Sequence, residues 1–177
     1  MPILVLDIET TGLCKQNKHR EYYHPKKTKY YDNSRIIEVA YTIYAKNKNT
    51  NQWESIKDVS NLIKPDKFLI ENSFIHGIEH DDAVKNGRPI NEVFDLLQND
   101  LSNINKIVAY NANFDINILL SEMYRYNNED LILELRLNTL DKFVDKFVVI
   151  EATTDHAGNN KELNFDMNKF KTFEKKI

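Results

Sequence analysis

The chain has 177 residues, of which 41% are hydrophobic and 29% are charged, and this composition is ordinary for a soluble globular protein. No stretch approaches the roughly 18 consecutive apolar residues of a membrane span, so we expect no membrane segment. The net charge of −3 excludes a uniformly basic nucleic-acid-binding surface but allows a local basic patch. Cys14 is the only cysteine, and the early acidic residue Asp7 is unlike a signal peptide, which together predict a cytoplasmic or nuclear protein.

The N-terminal part of the chain has the pattern of a β-sheet. Strands are predicted over residues 2–7, 35–45 and 53–63, which are rich in apolar, β-branched or aromatic residues. A polar turn at residues 47–51 joins the second strand to the third. Strands joined in this order predict an antiparallel meander.

Helical patterns dominate the remainder. Helices are predicted over residues 78–84 before Gly87, from Pro89 to Leu101, from an Asn113 cap to about Tyr126, and over part of 131–150. A further strand is predicted at residues 107–110. The polar tail from Thr153 has no clear pattern. Strands and helices mixed in this way indicate an α/β fold.

Three acidic residues follow two of the predicted strands. Asp7 and Glu9 lie two positions apart, so on a strand their side chains point to the same face. Asp115 lies at the start of the helix behind the strand at 107–110. Clustered carboxylates repel one another unless a cation holds them, and hard oxygen ligands suit Mg²⁺ or Mn²⁺. Two such ions, roughly 3.5–4 Å apart, would equip the site for phosphodiester hydrolysis.

Each acid also has a purely structural interpretation. A strand end can carry two solvated acids, and a pattern as short as that of Asp7 and Glu9 is common by chance. An acid near a helix N-terminus, such as Asp115, is stabilised by about 0.3–1 kcal/mol through the helix dipole. The order and settings of the two motifs together favour the metal-site hypothesis.

A strongly basic segment lies between the first two strands. Between residues 15 and 31 it has six basic side chains against one acidic side chain, with four interleaved tyrosines. The basic residues are Lys15, Lys18, Arg20, Lys26, Lys27 and Lys29, and the tyrosines are Tyr22, Tyr23, Tyr30 and Tyr31. Cations that contact phosphates and rings that stack on bases favour nucleic-acid binding. The alternative is a solvated loop whose tyrosines pack on the sheet, and the sequence assigns Tyr22 and Tyr30 to neither.

Four segments resemble one nuclease superfamily. Residues 7–13 (DIETTGL) and 111–115 (NANFD) are similar to the first and second motifs of the DnaQ-like (DEDD) 3′–5′ exonucleases, which include polymerase proofreading domains and RNase T. Residues 35–40 (RIIEVA) resemble the family's second strand, and residues 74–78 (FIHGI) resemble the segment before its short helix. The resemblance covers roughly residues 3–126. It implies a ribonuclease-H-like fold, with a mixed five-stranded sheet flanked by helices.

The resemblance also implies roles for individual side chains. Asp7, Glu9 and Asp115 would be catalytic residues and ligands of two Mg²⁺ or Mn²⁺ ions. The residues that would contact the substrate are Thr10, Thr11, Leu13, His76, Asn111 and Phe114. Leu13 would wedge against the terminal base. The alternatives are a loop position without a role for His76 and a core position for Phe114.

The family's third motif has no clear match in this chain. It supplies a fourth metal-binding Asp after a His or a Tyr, and no tyrosine follows Tyr126. The resemblance leaves His156 as the candidate catalytic base, but Lys161 occupies the position expected for the Asp. A tail histidine without a role is the alternative. We expect residues 1–177 to form one exonuclease domain, divergent or truncated from about residue 150.

These features predict a metal-dependent 3′–5′ exonuclease that releases nucleoside monophosphates from single-stranded 3′ ends of DNA or RNA. A DNA polymerase is a further candidate partner, as in proofreading. One alternative is a catalytically impaired domain that binds nucleic acid or a polymerase through the same cleft. Another is an exonuclease domain from a longer protein, whose third motif lies beyond Ile177.

Overall fold

The computed structural model of the protein describes residues 2–102, 104–141, 144–154 and 158–177. Its strands are β1 (Ile3–Thr10), β2 (Ile36–Lys46), β3 (Trp53–Leu62) and β4 (Lys106–Ala109). They form a mixed sheet in the order β3-β2-β1-β4. β2 pairs antiparallel with both β1 and β3, whereas β4 pairs parallel with β1. The predicted meander is confirmed. The expectation of five strands is wrong, because the sheet of the described residues has four.

Four of the five helices in the described residues follow the predicted order along the chain, and the short first helix was not predicted. The helices are α1 (Ser73–His76), α2 (His80–Asn86), α3 (Ile90–Leu101), α4 (Ala112–Arg125) and α5 (Glu129–Leu140). The prediction of Asn113 as the cap of α4 is wrong, because Asn111 occupies the cap position. Two 3₁₀ turns, Thr28–Tyr31 and Met167–Phe173, were not predicted. Within the described ranges, no helix is long and apolar enough to cross a membrane.

The two faces of strand β1 differ in burial: one is packed in the core and the other is accessible. Leu4, Leu6 and Ile8 are buried, whereas Val5 and Asp7 are exposed. The buried residues belong to one hydrophobic core that includes residues of three helices, namely Val93, Phe94 and Leu97 of α3, Ile118, Leu119 and Met123 of α4, and Leu131 and Leu135 of α5. Because side chains alternate along a strand, the same pattern that buries β1 against the helices places its acids on the opposite face.

The end of α2 approaches the end of β3 closely at Gly87. A Cβ added to Gly87 would lie 2.4 Å from the Ala83 carbonyl oxygen and 2.6 Å from the Lys64 nitrogen. These backbone atoms are held by hydrogen bonds, Gly87 N to Ala83 O at 2.9 Å and Lys64 N to Arg88 O at 2.8 Å. We therefore expect Gly87→Ala to lower the free energy of unfolding by about 1–3 kcal/mol in urea denaturation.

Lys85→Ala is the matched control for this prediction, since Lys85 is exposed on the same helix. It should change the free energy of unfolding by less than about 0.5 kcal/mol. Equal urea midpoints for the two variants would contradict the steric explanation.

Candidate active site

Asp7, Glu9 and Asp115 lie together where β1 meets the start of α4. The parallel register of β1 and β4 pairs Leu6 with Ala109, so the residues that follow both positions emerge at the same end of the sheet. Asp115, in the first turn of α4, is only 5% exposed. Its carboxylate accepts a hydrogen bond from the backbone N–H of Ile8, the residue between Asp7 and Glu9.

The electrostatics of this site favour a bound proton or cation. Burial raises the pKa of Asp115 above its usual value, and the Asp7 carboxylate raises it further, against the lowering effect of backbone N–H groups. Burial also raises the pKa of Glu9, and the charges of Asp7 and Glu38 add to that increase, while His76 opposes it. Asp7 is thus coupled to both other carboxylates of the candidate site.

The donor set fits a divalent cation. Among the described residues, no group of three or more His, Cys, Asp or Glu side chains is already arranged to hold a metal ion. Carboxylates without a counter-ion repel one another, so they are not expected to converge fully by themselves. Mg²⁺ typically takes only one or two protein carboxylates and completes its shell with water and substrate phosphates. Asp7, Glu9 and Asp115 are therefore suitable in kind as ligands of such an ion, and their role as its ligands stays a prediction.

Glu38 is an acidic neighbour of Glu9 that belongs to neither motif. It lies directly opposite Glu9 in the pairing of β1 with β2. Its carboxylate accepts a hydrogen bond of 2.6 Å from the Ser60 hydroxyl. The buried residues on either side of Glu38 in β2 indicate that Glu38 lies on the accessible face of the sheet. Only the register of β1 with β2 reveals that it lies opposite Glu9.

The turn after Glu9 is held by the hydroxyls of two threonines. The Thr10 hydroxyl donates to the Gly12 carbonyl at 2.9 Å. The Thr11 hydroxyl donates to the Asn33 carbonyl at 3.1 Å and accepts from the Arg35 N–H at 3.0 Å. Leu13 follows and is 81% exposed. Substrate contacts of Thr10, Thr11 and Leu13 stay predictions, and the threonines also have a structural task.

His76 lies close enough to Glu9 to influence its pKa. Its Nδ1 accepts the backbone N–H of Ile78 at 3.1 Å, so the neutral ring carries its proton on Nε2. Nε2 then donates to the Glu71 carbonyl at 3.0 Å. The structure therefore brings His76 to the acidic site, with both ring nitrogens engaged by the loop that carries it.

The second motif shapes the start of α4. The Asn111 carbonyl accepts the N–H groups of Phe114 at 2.8 Å and Asp115 at 3.1 Å, while the Asn111 residue itself is exposed. Phe114 is half-buried against the main core, and its ring centroid lies 6.3 Å from that of Tyr22. These contacts favour the core interpretation of Phe114. A substrate contact of Asn111 stays a prediction.

The third-motif candidates fall in the C-terminal region. His156 lies outside the described residues. Lys161, at the position expected for a fourth metal-binding Asp, is exposed, and its N–H donates to the Thr153 carbonyl at 2.8 Å. Asp166, the next aspartate along the chain, caps the Met167–Phe173 turn by accepting the N–H of Asn168 at 2.9 Å.

A buried ion pair ties α4 to the turn beside the acids. Arg35 Nε lies 2.5 Å from Glu122 Oε1, and the Glu122 side chain is fully buried. The Arg35 backbone in turn exchanges two hydrogen bonds with Thr11, at 2.9 and 3.0 Å. Because Glu122 lies about two helical turns after Asp115, the pair helps to fix the helix that carries Asp115. Neither motif indicated this contact.

Asp115→Asn is expected to stabilise the metal-free protein at neutral pH. The pKa of Asp115 is raised in the folded state, so its favourable contribution is complete below the unfolded pKa of about 3.9 and is lost as pH rises through the folded pKa. Asparagine avoids this loss and keeps an acceptor for the Ile8 N–H. Urea unfolding in EDTA should show that the advantage of the variant grows between pH 4 and pH 8.

The exposed residue Asp95 provides the control, and Asp95→Asn should follow the wild-type pH dependence. A stability difference between Asp115→Asn and wild type that stays constant with pH would contradict the assigned direction of the pKa shift.

A comparison of this chain with models of known protein families agrees with the geometry of the site. The sequence model of an exonuclease family of the RNase T type matches residues 4–167. The chain therefore belongs to this exonuclease family, whose members are nucleases, and its mixed sheet with flanking helices is the ribonuclease-H-like fold predicted from the sequence. No curated protein matches the chain.

Solved structures of exonuclease I are also similar to the chain. The product-bound structure gives a TM-score of 0.49 at 19% identity and covers 72% of this chain and 25% of that one. E. coli exonuclease I with a dT13 oligonucleotide and the ExoI/SSB-Ct complex give the same TM-score and identity, with 24% of each matched chain covered. The chain thus spans about a quarter of the length of these exonuclease I chains.

Proposed function

We propose that the protein is a metal-dependent 3′–5′ exonuclease that trims single-stranded nucleic acid and releases nucleoside monophosphates. One observation carries the proposal: Ile8, which lies between Asp7 and Glu9 on β1, donates its N–H to the buried Asp115 carboxylate of α4. Membership of the exonuclease family supplies the reaction class. Exonuclease I has been solved in complex with a dT13 oligonucleotide, and the single-stranded substrate of this chain is part of the proposal.

In this proposal the carboxylates hold the cation and the surrounding residues hold the substrate. Asp7, Glu9 and Asp115 would bind Mg²⁺ or Mn²⁺, which supplies Lewis-acid stabilisation of the charge that develops on the phosphate. The Ile8 N–H keeps the Asp115 carboxylate directed toward β1. Leu13, exposed beside the site, would pack against the terminal base. His156 is the proposed base that takes a proton from the attacking water.

A single strand labelled at its 5′ end tests the proposal. With Mn²⁺, a 3′–5′ exonuclease produces a ladder of shortening products that retain the label, and EDTA abolishes the ladder. Immediate release of a labelled mononucleotide would indicate the opposite direction, and trimming that persists in EDTA would reject metal dependence. DNA and RNA strands of the same sequence, assayed in parallel, define the substrate.

A catalytically impaired domain that binds 3′ ends, or a polymerase, is the second candidate. It is favoured by one observation: Lys161 lies next to the short Thr154–Asn160 pairing, in place of the expected Asp. Under this alternative the strand binds the protein but stays intact with Mn²⁺. EDTA-sensitive trimming by the purified chain rejects it.

A further inference from the structure

The segment of residues 15–31, called here the basic segment, is folded rather than loose. Gln16 pairs with Tyr22 in an isolated bridge, and the Lys15 N–H donates to the Tyr30 carbonyl at 2.9 Å. Tyr31 is fully buried, and its hydroxyl donates to the Tyr23 carbonyl. The lysines of this segment are therefore presented on a fixed surface.

The tyrosines of the basic segment are used for internal packing. The rings of Tyr23 and Tyr30 stack on each other at 3.7 Å, with 10° between their planes. Tyr22 packs on Phe114, and Tyr31 lies in the main core. These contacts favour the interpretation in which the tyrosines pack within the protein. The basic side chains of the segment are then the groups available to bind a ligand.

The cations of the basic segment are exposed, and they form no ion pair with an acid in the described part of the chain. All six basic side chains are accessible, and none of them forms an ion pair with another described residue. Three of them, Lys26, Lys27 and Lys29, line a groove of about 350 Å³. Because the whole chain carries a net charge of −3, this density of unpaired positive charge is a local feature.

The basic segment is attached directly to the candidate active site. Beyond its C-terminal end, the Ser34 hydroxyl donates to the Gly12 carbonyl at 2.6 Å, next to the threonine turn. Tyr22 contacts Phe114, the neighbour of Asp115. Arg125 of α4 donates to the Thr28 carbonyl at 3.1 Å, which fixes the groove against the helix that carries Asp115. The groove and the acids are therefore connected through α4 and the turn after β1.

We propose that the groove of Lys26, Lys27 and Lys29 binds the phosphate backbone of the single strand whose 3′ end occupies the acidic site. The identity of the strand rests on the proposed function. Lysine ammonium groups contact phosphates as point charges without reading bases, so the groove adds affinity that is independent of sequence and strongly dependent on salt. The groove contributes to binding only for strands long enough to reach from the acidic site to these lysines.

A charge-neutral triple variant, Lys26→Gln with Lys27→Gln and Lys29→Gln, tests this assignment. Its matched control is Lys48→Gln with Lys85→Gln and Lys175→Gln, which changes the net charge equally at exposed positions. Dissociation constants of 5′-fluorescein oligothymidylates of about 4 to about 16 nucleotides are measured by anisotropy in EDTA, where metal-dependent cleavage is absent. Thermal unfolding verifies that both variants fold.

We expect the groove variant to bind the longest strand at least about tenfold more weakly at about 0.1 M salt. The slope of the logarithm of its association constant against the logarithm of the salt concentration should be smaller in magnitude by about 2. The control triple should keep the wild-type affinity and slope. Wild-type affinity in the groove variant would overturn the proposal and assign the groove to an acidic protein partner instead. An equal loss in both triples would also overturn it, because it would reflect net charge alone.

The same proteins assayed with Mn²⁺ separate this inference from the proposed function. Charge-dependent binding by a wild-type protein that does not trim would support the groove and reject the exonuclease. Trimming by the groove variant with an unchanged KM for long strands would support the exonuclease and overturn the groove. If both are correct, KM for long strands rises in the groove variant and kcat is retained.

Discussion

Asp7→Asn is expected to reduce metal-dependent trimming of a single-stranded 3′ end by at least about a hundredfold. Asp7 is the carboxylate that influences the pKa of both Glu9 and Asp115. A bound divalent ion contributes several kcal/mol of transition-state stabilisation, and each 1.36 kcal/mol corresponds to about tenfold in rate. Asparagine preserves the size of the side chain but removes the charge that holds the ion. Initial rates on a 5′-labelled strand with Mn²⁺ measure the effect.

Asp95→Asn is the matched control, since it makes the same chemical change at an exposed position on α3. Its rate should equal that of the wild type. Asp7 is itself exposed, so the folded state should tolerate asparagine, which thermal unfolding verifies. Trimming by Asp7→Asn at the wild-type rate would contradict the proposed role of Asp7.

Glu122→Ala is expected to lower the free energy of unfolding by about 3–5 kcal/mol, because it leaves the Arg35 guanidinium without its buried partner. Arg35 bonds Glu122 through Nε at 2.5 Å and through a second nitrogen at 3.2 Å. The pair raises the pKa of Arg35 despite burial, so the guanidinium stays charged in the folded state. Urea denaturation at neutral pH measures the loss.

Two comparisons separate the effect of the buried pair from that of a generic ion pair. Asp130→Ala removes a partly exposed partner of Lys169, whose contact is 2.5 Å, and should cost much less stability, because accessible ion pairs contribute little. Arg35→Met combined with Glu122→Leu removes both charges and should recover most of the stability. A loss in Glu122→Ala no greater than that in Asp130→Ala would refute the structural role of the pair.

Much of the fold that positions the site was predictable because it depends on local patterns. Alternation in β1 places Leu6 and Ile8 in the core, and it therefore places Asp7 and Glu9 on the other face. The turn-forming residues before α4 placed Asp115 near the start of a helix. The polar turn at 47–51 joins β2 to β3 as the pattern indicated. Local sequence patterns thus explain the position of each acidic residue separately.

The parts that were missed depend on contacts between distant segments. The pairing of Glu9 with Glu38 depends on strand register, and the pairing of Arg35 with Glu122 depends on how α4 packs. The turn at Met167–Phe173 buries Phe170 and Phe173 beside Leu137, but two aromatic residues at i, i+3 spacing in a polar tail are too short a pattern to predict it. No local pattern encodes these long-range partners.

Titration of the metal-free protein with Mn²⁺ tests most directly whether Asp7, Glu9 and Asp115 form one cation site. Free Mn²⁺ is followed by electron paramagnetic resonance for wild type, Asp7→Asn, Asp115→Asn and the control Asp95→Asn. We expect wild type and Asp95→Asn to bind Mn²⁺ alike, and each site variant to bind at least about tenfold more weakly, since each loses one charged ligand. Wild-type Mn²⁺ affinity in both Asp7→Asn and Asp115→Asn would contradict a shared site.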